Sequence, residues 1–269
     1  MEPNEMPVSL HGVFWAAADE QRGLTEATKD WYEAMSRNPG FLGGVMVSPA
    51  GTEQLEARGP AIAQLLRSHD VARAAAPWGG ASHAIETTSF WRTEADRAAW
   101  ALTPAHDPAF AAVTGRVTDR ISNRLELVHL HGSPAGASIT DHNIYTTADA
   151  AEAEQLQRDL LEVAVSAAAA PGLCCLVLLR PLPSEQRTTF TSRDELLPLV
   201  GGHSEETESS MHTIEVMSYW RSETDRAAWK AAADRQQPAS AHLRTKHGVS
   251  TVHQSWGPQV SSGSNQPRL

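Results

Sequence analysis

The sequence predicts an α+β protein made of two copies of one β-α-β-β-α-β unit, and three observations carry that expectation. Residues 83–100, HAIETTSFWRTEADRAAW, recur at 212–229 as HTIEVMSYWRSETDRAAW, with twelve of 18 positions identical and no gap. A second match pairs Pro39-Gly40-Phe41-Leu42 with Pro171-Gly172-Leu173-Cys174. Strand and helix periodicities then follow one another in the same order around both matches.

Each unit opens on a short strand rich in aromatic and β-branched residues, at 12–17 and 143–147. A helix follows, marked by Ala27, Trp31, Ala34 and Met35 in one copy and by Leu156, Leu160, Val163 and Ala164 in the other. Asp149 and Glu152 form a capping box before the second of these helices. The Pro-Gly pair then leads into a second strand. The repeated block supplies a third strand, on which period 2 puts His83, Ile85, Ser89 and Trp91 on one face, with Glu86 and Phe90 on the other. His212, Ile214, Ser218 and Trp220 repeat that face. Thr93 or Ser222 caps the second helix, and a last strand follows at 124–130 and 249–256.

That order is ferredoxin-like: a four-stranded antiparallel sheet with both helices on one face. The other face needs a cover, so two units, 8–132 and 139–256, are expected to pack sheet against sheet as one intramolecular barrel, a monomeric pseudo-dimer. The long inserts at 50–82 and 181–211 read as lids, the first with a helical stretch at 53–75. The segment 257–269 reads as a disordered tail.

Composition narrows the function classes. The chain has 269 residues, 41% of them hydrophobic, and a net charge of −10, which argues against a nucleic-acid binder. The charged, polar start and the absence of a long apolar run predict a cytoplasmic protein without a membrane span. Cys174 and Cys175 are adjacent, which suits packing better than a disulfide or zinc pair.

The segment Ser-Phe-Trp-Arg-Thr-Glu-Ala-Asp-Arg-Ala-Ala-Trp, followed by Thr-Pro-Ala-His106, resembles the antibiotic biosynthesis monooxygenase superfamily of dimeric α+β barrels. With the Pro-Gly-Phe turn and the shared element order, the resemblance covers nearly the whole chain. The superfamily's haem-degrading branch places a ligating histidine ten residues after the second tryptophan; here those positions are Phe110 and Ala239. The resemblance therefore implies an oxygenase without tightly bound metal, flavin or haem, using molecular oxygen as co-substrate. Reduced flavin from a flavin reductase, or a substrate hydroquinone, is left open as diffusible reductant, and so is further homodimerisation. Tandem members of this size resemble ring-opening oxygenases of the jadomycin, gilvocarcin and kinamycin angucycline pathways, which implies an aromatic polyketide substrate. A non-catalytic binding protein for a polycyclic aromatic intermediate, and a cyclase or dehydratase on the same fold, are the alternatives.

His83, His106 and His212 are the candidate proton-transfer residues. His83 and His212 could instead tie a strand end in each half, and His106 could face solvent. Trp91 and Trp220, with Ser89 and Ser218 on the same face, are candidates for the wall of a flat substrate, or for core. Trp78 and His203 in the two inserts complete the candidate substrate-binding set. Arg92 and Arg221 face away and suit surface ion pairs. Trp100 and Trp229 suit helix-to-sheet packing. A metal site from His129, His131 and His142 is the weaker alternative, lacking an orienting carboxylate. The first unit, which keeps the Thr-Pro-Ala-His106 segment, is the expected working half.

Overall fold

The computed structural model describes residues 5–48, 83–117, 119–182, 189–191, 212–233 and 243–258. Strand β1 (Val8–Ala16) leads through a short 3-10 turn into α1 (Gln21–Met35), whose Leu24, Ala27, Thr28, Trp31, Tyr32 and Met35 form one buried stripe. Next come β2 (Phe41–Ser48), β3 (His83–Trp91), α2 (Glu94–Ala101), α3 (His106–Thr114) and β4 (Asp119–Gly132). The chain continues with β5 (Ile139–Thr146), α4 (Ala150–Ala167), β6 (Leu173–Pro181) and a short β7 (Thr189–Thr191). It ends in β8 (Thr213–Trp220), α5 (Glu223–Ala233) and β9 (Arg244–Trp256).

The first and last strands of each half run further than their apolar pattern suggests. Their extra residues include Ser9, His11, Thr140 and His142, which a filter for apolar alternation passes over. They are strand because neighbours pair with them on both sides. The single helix expected after Trp91 divides into α2 and α3 around Pro104, which has no N–H to continue the first. The helical stretch at 53–75, Trp78, His203 and the tail from 259 onward lie outside the described residues.

Eight antiparallel strands close on themselves in the order β1-β3-β2-β9-β5-β8-β6-β4, with β4 returning to β1. Two strands straddle the halves. Asp119–Glu126 of β4 lies against β1, whereas its stretch 125–132 lies against β6, and β7 extends that second edge at 121–123. In the same way β9 pairs with β5 up to Thr251 and with β2 from Thr251 to Trp256. At this second seam Gly43 has φ 154° and lies against Pro134 and the Trp256 carbonyl, where a side chain would collide.

The two repeated motifs meet in space, which accounts for their joint recurrence. A Cβ at Gly40 would strike the Asp96 side chain, and one at Gly172 would strike Asp225. Gly40 accepts the Arg92 N–H at 2.9 Å, and Gly172 accepts that of Arg221 at 2.8 Å. The helix starts are capped as expected. The hydroxyls of Thr93 and Ser222 accept from the Asp96 and Asp225 N–H groups at 3.0 and 3.1 Å, and Asp149 accepts from Glu152 at 2.9 Å.

Side chains fall into three cores. One lies between the first half's helices and the outer face of its sheet, around Phe14, Trp31, Tyr32, Trp91, Trp100 and Trp256. A second fills the barrel with residues of both halves, among them Val45, Phe90, Leu127, Cys175, Val177 and Tyr219. The third lies under α4 and is largely aliphatic, with Leu156, Leu160, Leu176, Leu178 and Ile214. Both cysteines are free, and Cys175 packs in the barrel as expected of it. No helix among the described residues is long and apolar enough to cross a membrane.

Candidate functional site

The outer layer of the first half carries a continuous chain of aromatic rings. Neighbouring positions on α1 place Trp31 and Tyr32 with centroids 5.4 Å apart and nearly perpendicular. One turn apart on α3, His106 and Phe110 stack at 5.4 Å. Phe110 reaches Trp31 at 5.1 Å, and His106 meets the edge of Trp100 at 5.6 Å. At the other end Tyr32 lies 4.8 Å from Trp256, which β9 carries in from the second half. The run Trp100–His106–Phe110–Trp31–Tyr32–Trp256 thus draws on α1, α2, α3 and β9.

The polar groups of this layer divide into satisfied and orphaned. Burial pushes the Tyr32 phenol far above its ordinary pKa, and hydrogen bonds with Thr87 and Ser89 offset only part of that, so the group stays protonated. Ser89 also accepts the Trp91 indole N–H at 3.1 Å. His106 Nδ1 lies 3.1 Å from a carboxylate oxygen of Asp107. The Arg120 guanidinium sits 4.9 Å over the Phe110 ring, and burial lowers its pKa. By contrast, the indole nitrogens of Trp31, Trp100 and Trp256 are buried without a hydrogen-bond partner. The Thr28 hydroxyl on the buried stripe of α1 is orphaned as well, so four donors of this layer lack a partner, each at a cost of about 1–3 kcal/mol.

The equivalent layer of the second half is different. Val163 and Ala164 occupy the α4 positions that correspond to Trp31 and Tyr32 at the offset of 132 that aligns the two Pro-Gly turns. The Trp220 indole is satisfied by Ser218 at 2.8 Å, and Trp229 packs 6.3 Å from it. Among the described residues, every buried indole nitrogen without a partner belongs to the first half's layer.

A second polar centre lies inside the barrel. His11 of β1 meets Glu86 of β3 at 2.9 Å, and His142 of β5 meets Glu215 of β8 at 3.0 Å. The two imidazoles face each other edge to face across the barrel, with centroids 6.3 Å apart. Burial would raise the Glu215 carboxyl, but the hydrogen bond and charge of His142, with the charge of His11, outweigh it and leave its pKa below the ordinary value.

Each residue singled out from the sequence can now be placed. His83 opens β3 opposite Ala16. His106 sits in the aromatic chain rather than in solvent, its side chain 17% exposed. The His212 carbonyl accepts the Thr147 N–H and hydroxyl, tying the start of β8 to the end of β5. Trp91 and Trp220 are both buried core, their indoles held by Ser89 and Ser218. Arg92 pairs with Asp96 at the surface. His142 points at Glu215, not toward His129 and His131, and no group of three potential metal-ligating side chains gathers among the described residues. In the sequence Phe110 stands out only as the residue in place of a haem ligand, and Trp31, Tyr32, Trp256 and the His–Glu pairs do not stand out as site residues. The pairs left a signal: His11 and His142, like Glu86 and Glu215, recur between the halves, and alternation sets Glu86 opposite the face of Trp91.

No family model matches the chain, and no curated protein matches it. Solved structures do match in fold. A Fusobacterium nucleatum protein named as a monooxygenase superposes with a TM-score of 0.61 at 7% identity, covering 98% of this chain and 99% of its own. One from Lactobacillus acidophilus, also named as a monooxygenase, gives 0.56 at 10% identity over 92% and 93%. An anthrone oxidase-like protein gives 0.50 at 10% identity over 99% of both chains. The chain therefore has the α+β fold of these proteins.

Proposed function

We propose that the chain is an oxygenase of a polycyclic aromatic polyketide, an anthrone or angucyclinone hydroquinone, acting in the outer layer of the first half without a tightly bound metal, flavin or haem. The observation that carries this reading is the aromatic chain around His106 and Tyr32, whose α1 members Trp31 and Tyr32 give way to Val163 and Ala164 in the second half. Flat rings recognise flat rings, and an imidazole held among them offers a ring nitrogen to take a proton. The fold neighbours named for monooxygenases and for anthrone oxidase agree in kind.

With Nδ1–H donated to Asp107, the His106 Nε2 lone pair takes a proton from the substrate carbon or phenol. The resulting carbanion gives one electron to oxygen, and the radical pair combines to a peroxide. For an anthrone, loss of water from that peroxide leaves the ketone, so one oxygen atom enters the product and the other leaves as water. Ring opening of an angucyclinone would start from the same peroxide. Phe110 stands where a haem ligand would be needed and is packed between His106 and Trp31, so haem ligation at that position does not fit.

Anthrone consumption with and without oxygen tests the reading, with reduced flavin added in a parallel arm. Oxygen uptake above the uncatalysed rate is expected. Tryptophan quenching by the probe without uptake would make the chain a binding protein instead, and turnover under nitrogen would make it a cyclase or dehydratase.

A further inference from the structure

We infer that the ring chain of the first half is an electron relay, in which Trp100, Trp31 and Trp256 are the stops and the rings between them are the bridges. Centroids stand 5.4 Å apart between Trp31 and Tyr32 and 4.8 Å apart between Tyr32 and Trp256. An electron crosses such a contact between π systems far faster than it crosses a saturated gap. On the other side of Trp31, Phe110 at 5.1 Å and the stacked His106 lead on to Trp100. Indole and phenol are the rings of this layer that give up an electron most readily, and they are spread along the chain rather than gathered round one point.

The orphaned indoles supply the second ground. An indole that loses an electron becomes a radical cation, and wherever an acceptor is at hand it sheds its N–H proton and is trapped as a neutral radical. Trp31, Trp100 and Trp256 are 4%, 6% and 8% exposed and their N–H groups meet no acceptor. The proton therefore stays and the vacancy stays mobile. Tyr32 bonds the Thr87 and Ser89 hydroxyls, neutral groups that do not keep an extra proton, so it bridges and does not trap. The second half has no such chain. Val163 and Ala164 stand for Trp31 and Tyr32 there, and strand register puts His131 where the first half has Trp256.

Burying a cation away from water is costly, so only a strong oxidant loads the relay. The oxygenase reading supplies one: homolysis of the O–O bond of its peroxide releases an alkoxyl radical. That radical takes one electron from the chain and one proton from water and becomes an alcohol. A hydroquinone in solution returns the electron, becomes a semiquinone and gives its proton to water. The relay rests on the oxygenase reading for its oxidant, whereas conduction through the rings is tested without it.

The test loads the chain with light. A ruthenium polypyridyl photo-oxidant is attached through Leu102→Cys, at a position 87% exposed and two residues from Trp100, in the full chain carrying Cys174→Ser; the remaining cysteine, Cys175, is fully buried. Flashes in the presence of a soluble electron acceptor should produce indole radical cations whose transfer is unchanged in heavy water. Mass spectrometry after repeated flashes in air should find oxygenation at Trp256. Trp31→Phe keeps a ring but removes the middle stop, and the mark on Trp256 should be lost while that on Trp100 remains. Trp91→Phe, whose indole is held by Ser89 away from the chain, should leave both marks. Marks confined to Trp100 in the labelled chain overturn the inference even if neither variant folds. Neutral indolyl radicals overturn it as well, as does a mark on Trp256 that survives Trp31→Phe. Anthrone-dependent oxygen uptake is read separately, so failure of the relay leaves the oxygenase reading standing, and conduction without uptake removes that reading alone.

Discussion

His106 carries the sharpest expectation at the scale of a single side chain. Removing a positioned base costs roughly 10²- to 10⁴-fold in rate, so His106→Ala should lower oxygen uptake by that factor while His212→Ala, whose carbonyl does the structural work, stays within about threefold. Wild-type rates in both variants, with His83→Ala alongside, would take histidine out of the chemistry. The sequence showed His106 because it follows a recognisable segment. It did not mark Trp256 as a partner of Tyr32, because that contact depends on a strand pairing between distant parts of the chain. Nor did it join His11 to Glu86, a pair 75 residues apart whose meeting is set by sheet register rather than by spacing.

Helices and turns were the most legible elements, since caps and Pro-Gly turns act through neighbours a few residues away. Thr93 and Ser222 each satisfy an otherwise unpaired N–H, so Thr93→Ala should lower the unfolding free energy by about 1 kcal/mol, measurable by urea denaturation. An unchanged midpoint would mean that water caps α2 equally well. Gly172, at φ 78° and against Asp225, is a harsher position: Gly172→Ala combines backbone strain with a collision and should cost more than the cap. Strand ends were the least legible. Polar residues such as Ser9 and Thr140 carry no apolar signal, yet their backbones complete ladders on two sides.

For the molecule as a whole, the paired imidazoles and carboxylates are where the two halves read each other's charge. The Glu215 pKa lies below its unfolded value, so its contribution to stability is present above about pH 4.5 and is lost as pH falls through the lowered pKa. Thermal unfolding between pH 6 and pH 3 should show this fall. Glu215→Gln, which leaves His142 without its carboxylate, should be less stable by about 3–5 kcal/mol at pH 6 and flatter with acid. We also propose that 8–132 and 139–256 are the folding units. Expressed alone, each would bare its barrel-facing sheet surface and should dimerise or precipitate, whereas a stable monomeric half would refute the division. The seam at which Gly44 meets Trp256 joins residues on the order of 200 positions apart, the kind of contact whose loop entropy makes it slow to form. Helical signal should therefore return early in refolding. Binding competence, which needs Trp256 in place, should return in a later phase that is independent of protein concentration because one chain supplies both partners, so the strand that shuts the ring also sets the moment at which the site comes into being.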